Sequence, residues 1–193
     1  MLHRARGQRY GRFSEWFGRT ALRLLRYELV GACPETVKKC VVIGAPHDSA
    51  WDVFYMFLAR LGLGLPMTFM MKDSLDRWPF RTFWRVLGGI PVNRSESTNI
   101  VQQAVQMFAE HDSLYLLIAP EGTRRKVEHW RTGFYWIAHG SGVPILLAFI
   151  NYRDRRLGLG SFLYPTGDIA QDFEALREFY ELQTGIVPRY SGT

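Results

Sequence analysis

The sequence predicts an α/β fold. It reads as one domain over residues 1–193, with a mostly parallel or mixed central sheet flanked by helices and an N-terminal amphipathic helix. Three observations lead there. The chain has 193 residues, within the roughly 100–200 of a usual domain. Short apolar or β-branched runs alternate with segments of helical period, as in a sheet whose strands are joined by helices. The runs Leu114–Ala119 and Ile145–Ile150 are apolar without alternation, which suits strands covered on both faces.

The elements follow in order. Residues 1 to about 30 form a basic amphipathic segment. Arg4, Arg6, Arg9, Arg12, Arg19, Arg23 and Arg26 crowd it, and Glu15 is the only acid before Glu28. Such a segment favours an anionic surface, lipid headgroups or nucleic acid, though a solvated tail carries the same charge pattern. An Arg-rich, acid-poor start also has the composition of a mitochondrial transit peptide, and no apolar stretch of secretory type follows it. Inside the segment a helix is expected from about Ser14 to Val30. Trp16, Phe17, Leu22 and Leu24 among arginines give it the composition of a helix lying in a membrane interface. Packing on its own domain is the plainer alternative.

A strand at Val41–Ile43 ends at Gly44-Ala45-Pro46, a helix runs from Ser49 to about Leu61, and a second strand covers Thr68–Met71. Pro79 suits the first turn of a helix ending near Gly88-Gly89. Ile100, Val101, Ala104, Val105 and Phe108 recur at helical spacing and predict a helix over Ser97–Glu110. After the two apolar strands, a last helix spans about Ile169 to Leu182, with Asp168 as its N-cap.

Composition narrows the function. With 47% hydrophobic and 22% charged residues, the chain has the makeup of a globular protein. The two cysteines, Cys33 and Cys40, form no CxxC pair or Cys/His cluster, so no metal is expected. They read as free thiols in a reducing compartment, with a disulfide between them the weaker alternative. The longest apolar tract, Val53–Met71, is interrupted by Arg60, Gly62, Gly64 and Pro66, and a bilayer span is not expected. No zinc finger, Walker A loop or RNA-recognition signature supports a nucleic-acid partner.

Ligands of such folds gather at the C-terminal ends of the strands, and three polar clusters fall there. The first is Pro46-His47-Asp48-Ser49-Ala50-Trp51-Asp52. On one continuous helix His47 and Asp52 would stand about 140° apart. If the helix starts near Ser49, the histidine lies in the loop and the aspartate in the first turn. Asp52 can then orient the imidazole and leave its other nitrogen to take a proton. Ser49-Ala50-Trp51-Asp52 is equally a capping box. The second cluster, Gly88-Gly89-Ile90-Pro91-Val92-Asn93-Arg94, offers a fork to phosphate through Arg94, or else a helix cap followed by a solvent-facing arginine. The third, Ala119-Pro120-Glu121-Gly122-Thr123-Arg124-Arg125, can form an anion-binding concavity or an ordinary surface turn. Lys72, ending its own strand, adds a cation.

Taken in order, His47-x-x-x-x-Asp52, Gly89-Ile90-Pro91-Val92-Asn93-Arg94, Pro120-Glu121-Gly122-Thr123-Arg124 and Val143-Pro144-Ile145 resemble the four blocks of the glycerolipid acyltransferases. The bacterial lysophospholipid, or 1-acylglycerol-3-phosphate, acyltransferases are the nearest resemblance, over about Val41 to Ile150. The resemblance implies His47 as the base that deprotonates an acceptor hydroxyl and Asp52 as its orienting partner. It implies acceptor-binding roles for Arg94 and for Glu121, Gly122, Thr123 and Arg124, with Lys72 similar to a lysine often found between the first two blocks. Pro144 falls in the block associated with the acyl donor or with packing. The family's donors, acyl-CoA or acyl carrier protein, are co-substrates, and no cofactor or metal is implied. The expected partners are that donor, a lysophospholipid acceptor and a membrane surface. The expected location is the cytoplasmic face of the membrane, peripheral or monotopic. Pro46 stands where many members have Asn, Asn93 where Asp is frequent, and Ala119 where Phe is common. These departures leave the His–Asp pair intact and bear on the acceptor. A non-catalytic module that binds anionic lipids through the basic N-terminus is the alternative function.

Overall fold

The computed structural model describes residues 11–32, 36–45, 50–92, 97–122 and 129–190. In chain order the elements are α1 (Arg12–Leu24), β1 (Glu28–Val30), β2 (Lys39–Ala45), α2 (Ala50–Gly62), β3 (Met67–Lys72), α3 (Arg81–Val86), β4 (Gly89–Val92) and α4 (Ser97–Glu110). There follow β5 (Leu114–Ile118), β6 (His129–Trp130), α5 (Gly133–Ser141), β7 (Ile145–Asn151), β8 (Arg156–Leu163), α6 (Ile169–Thr184) and β9 (Arg189–Tyr190). Among the described residues the main sheet has seven strands in the order β1-β8-β7-β2-β5-β3-β4, and β6 pairs with β9 in a small separate ribbon. Every neighbouring pair in the main sheet is parallel except β7 with β8. The expected mixed sheet flanked by helices is therefore the observed one.

Strand alternation divides the core between the two faces of this sheet. Val41, Ile43, Leu114, Leu116, Ile145 and Leu147 pack with α4, α5 and α6 in one cluster. Cys40, Val42, Tyr115 and Leu146 point the other way, towards Leu65 and Met67. Beside them Leu22 of α1 meets Leu58 and Ala59 of α2 over Ile150 and Leu157. Because β2, β5 and β7 bury both faces, they lack a polar alternation.

On the first face, α6 is capped by Asp168, whose side chain accepts from the backbone N–H of Ala170 and Gln171 at 3.1 and 3.2 Å. Asp172, in the same first turn, is buried and accepts from the Tyr135 hydroxyl of α5 at 2.7 Å and from the Thr166 N–H at 2.7 Å. Burial, reinforced by the bond to Asp172, pushes the Tyr135 hydroxyl pKa up to about 12.

Four expectations are revised. The N-terminal helix does not reach Val30: it ends at Leu24, Arg26 takes a positive φ of 61°, and Glu28–Val30 pairs instead with β8. Pro79, expected in the first turn of a helix ending near Gly88-Gly89, precedes that helix, which runs from Arg81 to Val86. Gly89–Val92, expected only as part of a polar cluster at a strand end or as a helix cap, is itself a strand at the sheet's edge, where Pro91 removes no ladder donor that another strand needs. The segments 133–141 and 156–163, left without an element, are α5 and β8.

The N-terminal helix packs on α2 at close quarters. A Cβ on Gly18 would stand 2.4 Å from the Gly62 nitrogen and 2.7 Å from the Leu58 carbonyl oxygen. Its outer side leaves Phe13, Trp16, Phe17 and Leu24 exposed among Arg12, Arg19 and Arg23. Among the described residues no helix is long and apolar enough to cross a membrane.

Candidate active site

Five adjacent strands, β7, β2, β5, β3 and β4, run parallel and so end on one edge of the sheet. The segments that leave these ends carry the polar clusters. Directly after β2, the first turn of α2 holds Asp52, which is fully buried. The hydroxyl of Tyr152, in the turn between β7 and β8, donates to the Asp52 carboxyl. Tyr152 is braced by Tyr55 of α2, ring centroids 5.9 Å apart and nearly perpendicular, and Tyr55 in turn by Tyr27 at 4.5 Å. A buried carboxyl is costly unless hydrogen-bonded, and this tyrosine supplies one bond from across the sheet edge.

After β5 the chain turns sharply. The Gly122 N–H donates to the Ala119 carbonyl at 3.1 Å, and Gly122 has a φ of 64°, which a side chain would strain. A Cβ there would also stand 2.7 Å from the Arg131 Cδ and 2.8 Å from its Nε. The Arg131 N–H donates to the Pro120 carbonyl at 2.9 Å, so this arginine is fixed against the turn by its backbone and lies over the bare glycine with its side chain. Glu121 is buried. Its charge adds to burial in raising the pKa of the Tyr180 hydroxyl, which donates to the carbonyls of Ile43 and Ala148 at 3.1 and 3.0 Å. Glu121 is thus close enough to act on a hydroxyl buried beneath β2 and β7, and Gly122 is the point of the turn that Arg131 covers.

Lys72 closes β3 and is exposed, in register with Val92 at the end of β4. The structure therefore brings Asp52, Glu121, Gly122 and Lys72 to one edge of the sheet. His47, Arg94, Thr123 and Arg124 lie outside the described residues, as does Cys33. Among the described residues no group of three or more His, Cys, Asp or Glu side chains could hold a metal ion.

From this edge a groove of about 500 Å³ runs between α2 and α3 over β5 and β3. Val53 and Phe57 of α2, Phe69 and Met70 of β3, Trp84 of α3 and Gly122 line it. It is largely apolar, which suits a hydrocarbon chain reaching in from the polar edge. Three contributors escape sequence reasoning: Tyr152, Arg131 and Arg60. Arg60 is buried at the groove's far end and donates to the Leu87 carbonyl. Tyr152 and Arg131 lie outside the blocks, and Arg60 reads as an interruption in an apolar tract.

Comparison with protein families matches residues 28–150 to the family described as Acyltransferase. No curated protein matches the chain. Among solved structures, the 1-acyl-sn-glycerophosphate (LPA) acyltransferase PlsC from Thermotoga maritima is similar, with a TM-score of 0.58 and 21% sequence identity. The similarity covers 88% of this chain and 74% of that one. At this identity what is shared is the fold.

Proposed function

The chain belongs to the acyltransferase family, and from that premise we propose that it moves a fatty acyl group from an acyl thioester to a hydroxyl of a lysophospholipid. The donor is acyl-CoA or acyl carrier protein. The acceptor is 1-acylglycerol 3-phosphate, which would become phosphatidic acid. The observation that supports this best is Asp52: a fully buried carboxyl in the first turn of α2, at the strand-end edge, five positions after His47. A carboxyl so placed orients an imidazole and stabilises its cation.

In this reading His47 takes the proton of the acceptor hydroxyl as its oxygen attacks the thioester carbonyl. The tetrahedral intermediate then collapses, the carbon–sulfur bond breaks, and the proton passes to the leaving thiolate. The thioester carries the activated acyl group as a co-substrate, so the proposed reaction needs no cofactor. Lys72, Arg94, Thr123 and Arg124 supply cations and a hydroxyl for the phosphate-bearing end of the acceptor. Gly122 lets the chain pass close to it, and Glu121 holds the turn from beneath. The apolar groove takes the donor's acyl chain. The protein works as a peripheral protein at the cytoplasmic face of a membrane, attached through α1 and the basic segment before it.

Thiol release from a long-chain acyl-CoA, measured with and without lysophosphatidic acid, tests the proposal. Release that depends on the acceptor and is lost in His47→Ala is expected. Wild-type turnover by folded His47→Ala would remove the histidine base. Failure of the wild type with every thioester donor and lysolipid would favour a non-catalytic lipid-binding module.

A further inference from the structure

We propose that Arg131 is a further acceptor-binding residue, whose guanidinium holds the phosphate of the lysophospholipid at the rim of the apolar groove. The inference rests on the reading above, in which the groove takes the donor's acyl chain and the acceptor carries a phosphate.

Arg131 lies outside the three polar clusters of the sequence, but the fold returns it to the third. The chain leaves the sheet after β5, turns at Gly122, and reaches Arg131 immediately after β6. The Arg131 N–H donates to the Pro120 carbonyl at 2.9 Å, which ties the two ends of this excursion together. The side chain then lies on Gly122. A Cβ there would stand 2.7 Å from the Arg131 Cδ, 2.8 Å from Nε and 3.4 Å from Cζ, so the bare glycine is the bed on which the guanidinium rests. Gly122 also lines the groove, together with Val53, the neighbour of Asp52 on α2. Arg131 therefore stands at the rim of a groove that α2 lines with the residue next to the buried carboxyl.

This position is held from behind by the C-terminal segment. Trp130 is buried, its ring 6.2 Å from Phe173 and 5.0 Å from Tyr180. It pairs in register with Tyr190 of β9, and the Tyr190 ring packs on Phe173 at 4.8 Å. The backbone of Arg131 is thus anchored, whereas its side chain is exposed and makes no hydrogen bond or ion pair with any described residue. A cation with a fixed backbone and unengaged donors is preorganised for an anion, because little freedom is lost on binding. A guanidinium also meets a phosphate with two parallel hydrogen bonds.

The chemistry of the two substrates decides which phosphate it meets. With the acyl chain in the groove, the thioester carbonyl stands at the groove's polar end. The acceptor's phosphate is joined to the carbon next to the one bearing the attacking hydroxyl, so it must lie beside the reacting centre. The phosphates of either donor lie at the far end of the pantetheine arm. A cation at the rim is within reach of the first and not of the second.

The test is acceptor-dependent thiol release by wild type, Arg131→Met and Arg131→Lys, each checked for folding by thermal melting. KM is measured separately for lysophosphatidic acid and for a long-chain acyl-CoA. Arg131→Met keeps an unbranched stem over Gly122 and removes the charge. Its KM for lysophosphatidic acid should rise by at least roughly ten-fold while the KM for acyl-CoA stays at the wild-type value. Inhibition by glycerol 3-phosphate, competing with the acceptor, should weaken by a similar factor. Arg131→Lys restores the charge without the fork and should recover part of the loss. An unchanged acceptor KM in folded Arg131→Met would overturn the assignment, and so would a fall in kcat alone. A rise in the donor's KM instead would put a donor phosphate at Arg131 and overturn the choice of ligand. Wild type that shows no acceptor-dependent release would overturn acyl transfer, and this role with it.

Discussion

The Asp52 carboxyl accepts a hydrogen bond from a tyrosine 100 positions away in sequence. Tyr152 touches no reacting atom in the proposed mechanism, so it acts through Asp52 as a positioning residue. Its O–H drains negative charge from the carboxyl and pins the orientation in which that carboxyl meets a base. In Tyr152→Phe the ring and its contact with Tyr55 remain and only the donor is lost. A hydrogen bond to a charged group contributes about 1.5–3 kcal/mol. A fall in kcat of at least roughly ten-fold is therefore expected, since about 1.4 kcal/mol corresponds to that factor. The pH profile separates positioning from simple damage. In the proposed mechanism, loss of the tyrosine O–H leaves more negative charge on the carboxyl to hold the His47 imidazolium. The base must be neutral to act, so the acidic limb of kcat/KM should move to higher pH. A fall in rate with the limb unmoved would assign Tyr152 a merely structural part.

At the level of elements, the contact of α1 with α2 sets two glycine effects against each other. Replacing glycine with alanine inside a helix ordinarily stabilises it by roughly 0.8–1.0 kcal/mol. At Gly18 the new Cβ would meet backbone atoms of Gly62 and Leu58, which cannot swing aside. Forcing a methyl into a filled interface costs about 1–3 kcal/mol, so the clash should win and Gly18→Ala should lower the urea midpoint. A stabilised Gly18→Ala would mean that the two helices are not in this contact. The same contact shows where sequence reading stops. Helix α4 was legible to the residue, because Ile100, Ala104 and Phe108 carry a helical stripe that needs no partner to be seen. The strands β2, β5 and β7 were legible as unbroken apolar runs, and α6 by its Asp168 cap. The edge strand β4 was not, because four residues containing a glycine and a proline become a strand only through pairing with β3. Strand β8 hides behind Gly158 and Gly160, glycines that admit Val30 and the Phe179 ring. Helix α5 buries Phe134, Tyr135, Ile137 and Ala138, so its wide apolar face shows little periodicity. The site divides in the same way. Asp52, Lys72, Glu121 and Gly122 follow strands the sequence predicts, whereas Tyr152, Arg131 and Arg60 reach it from other parts of the fold.

For the whole molecule, charge and apolar exposure coincide at the N-terminal end. The formal charge is +6, and seven arginines precede Tyr27. On α1, Trp16 is 59% exposed and Phe13 78%, their rings 5.9 Å apart, while Gly18 and Leu22 face α2. A helix that packs through one side and shows aromatic rings among arginines on the other can serve the fold and a membrane surface together, so the two sequence readings of this segment are compatible. The two attractions behave differently. The arginines act through a field that salt screens over about 8 Å at physiological ionic strength, whereas the rings act by burial, which salt leaves largely intact. Wild type should therefore float with vesicles containing anionic phospholipid at low salt and bind less as salt rises. Trp16→Ser with Phe17→Ser changes exposed side chains, so the double variant should keep the fold. Each large apolar group withdrawn from the interface removes roughly 1.5–3 kcal/mol, so its residual binding should be weak and strongly salt-dependent. Flotation of the double variant equal to wild type at high salt would show that α1 does not enter the bilayer, and would move the point of attachment to the exposed rings of Trp51, Phe54, Trp78 and Phe80 nearer the groove.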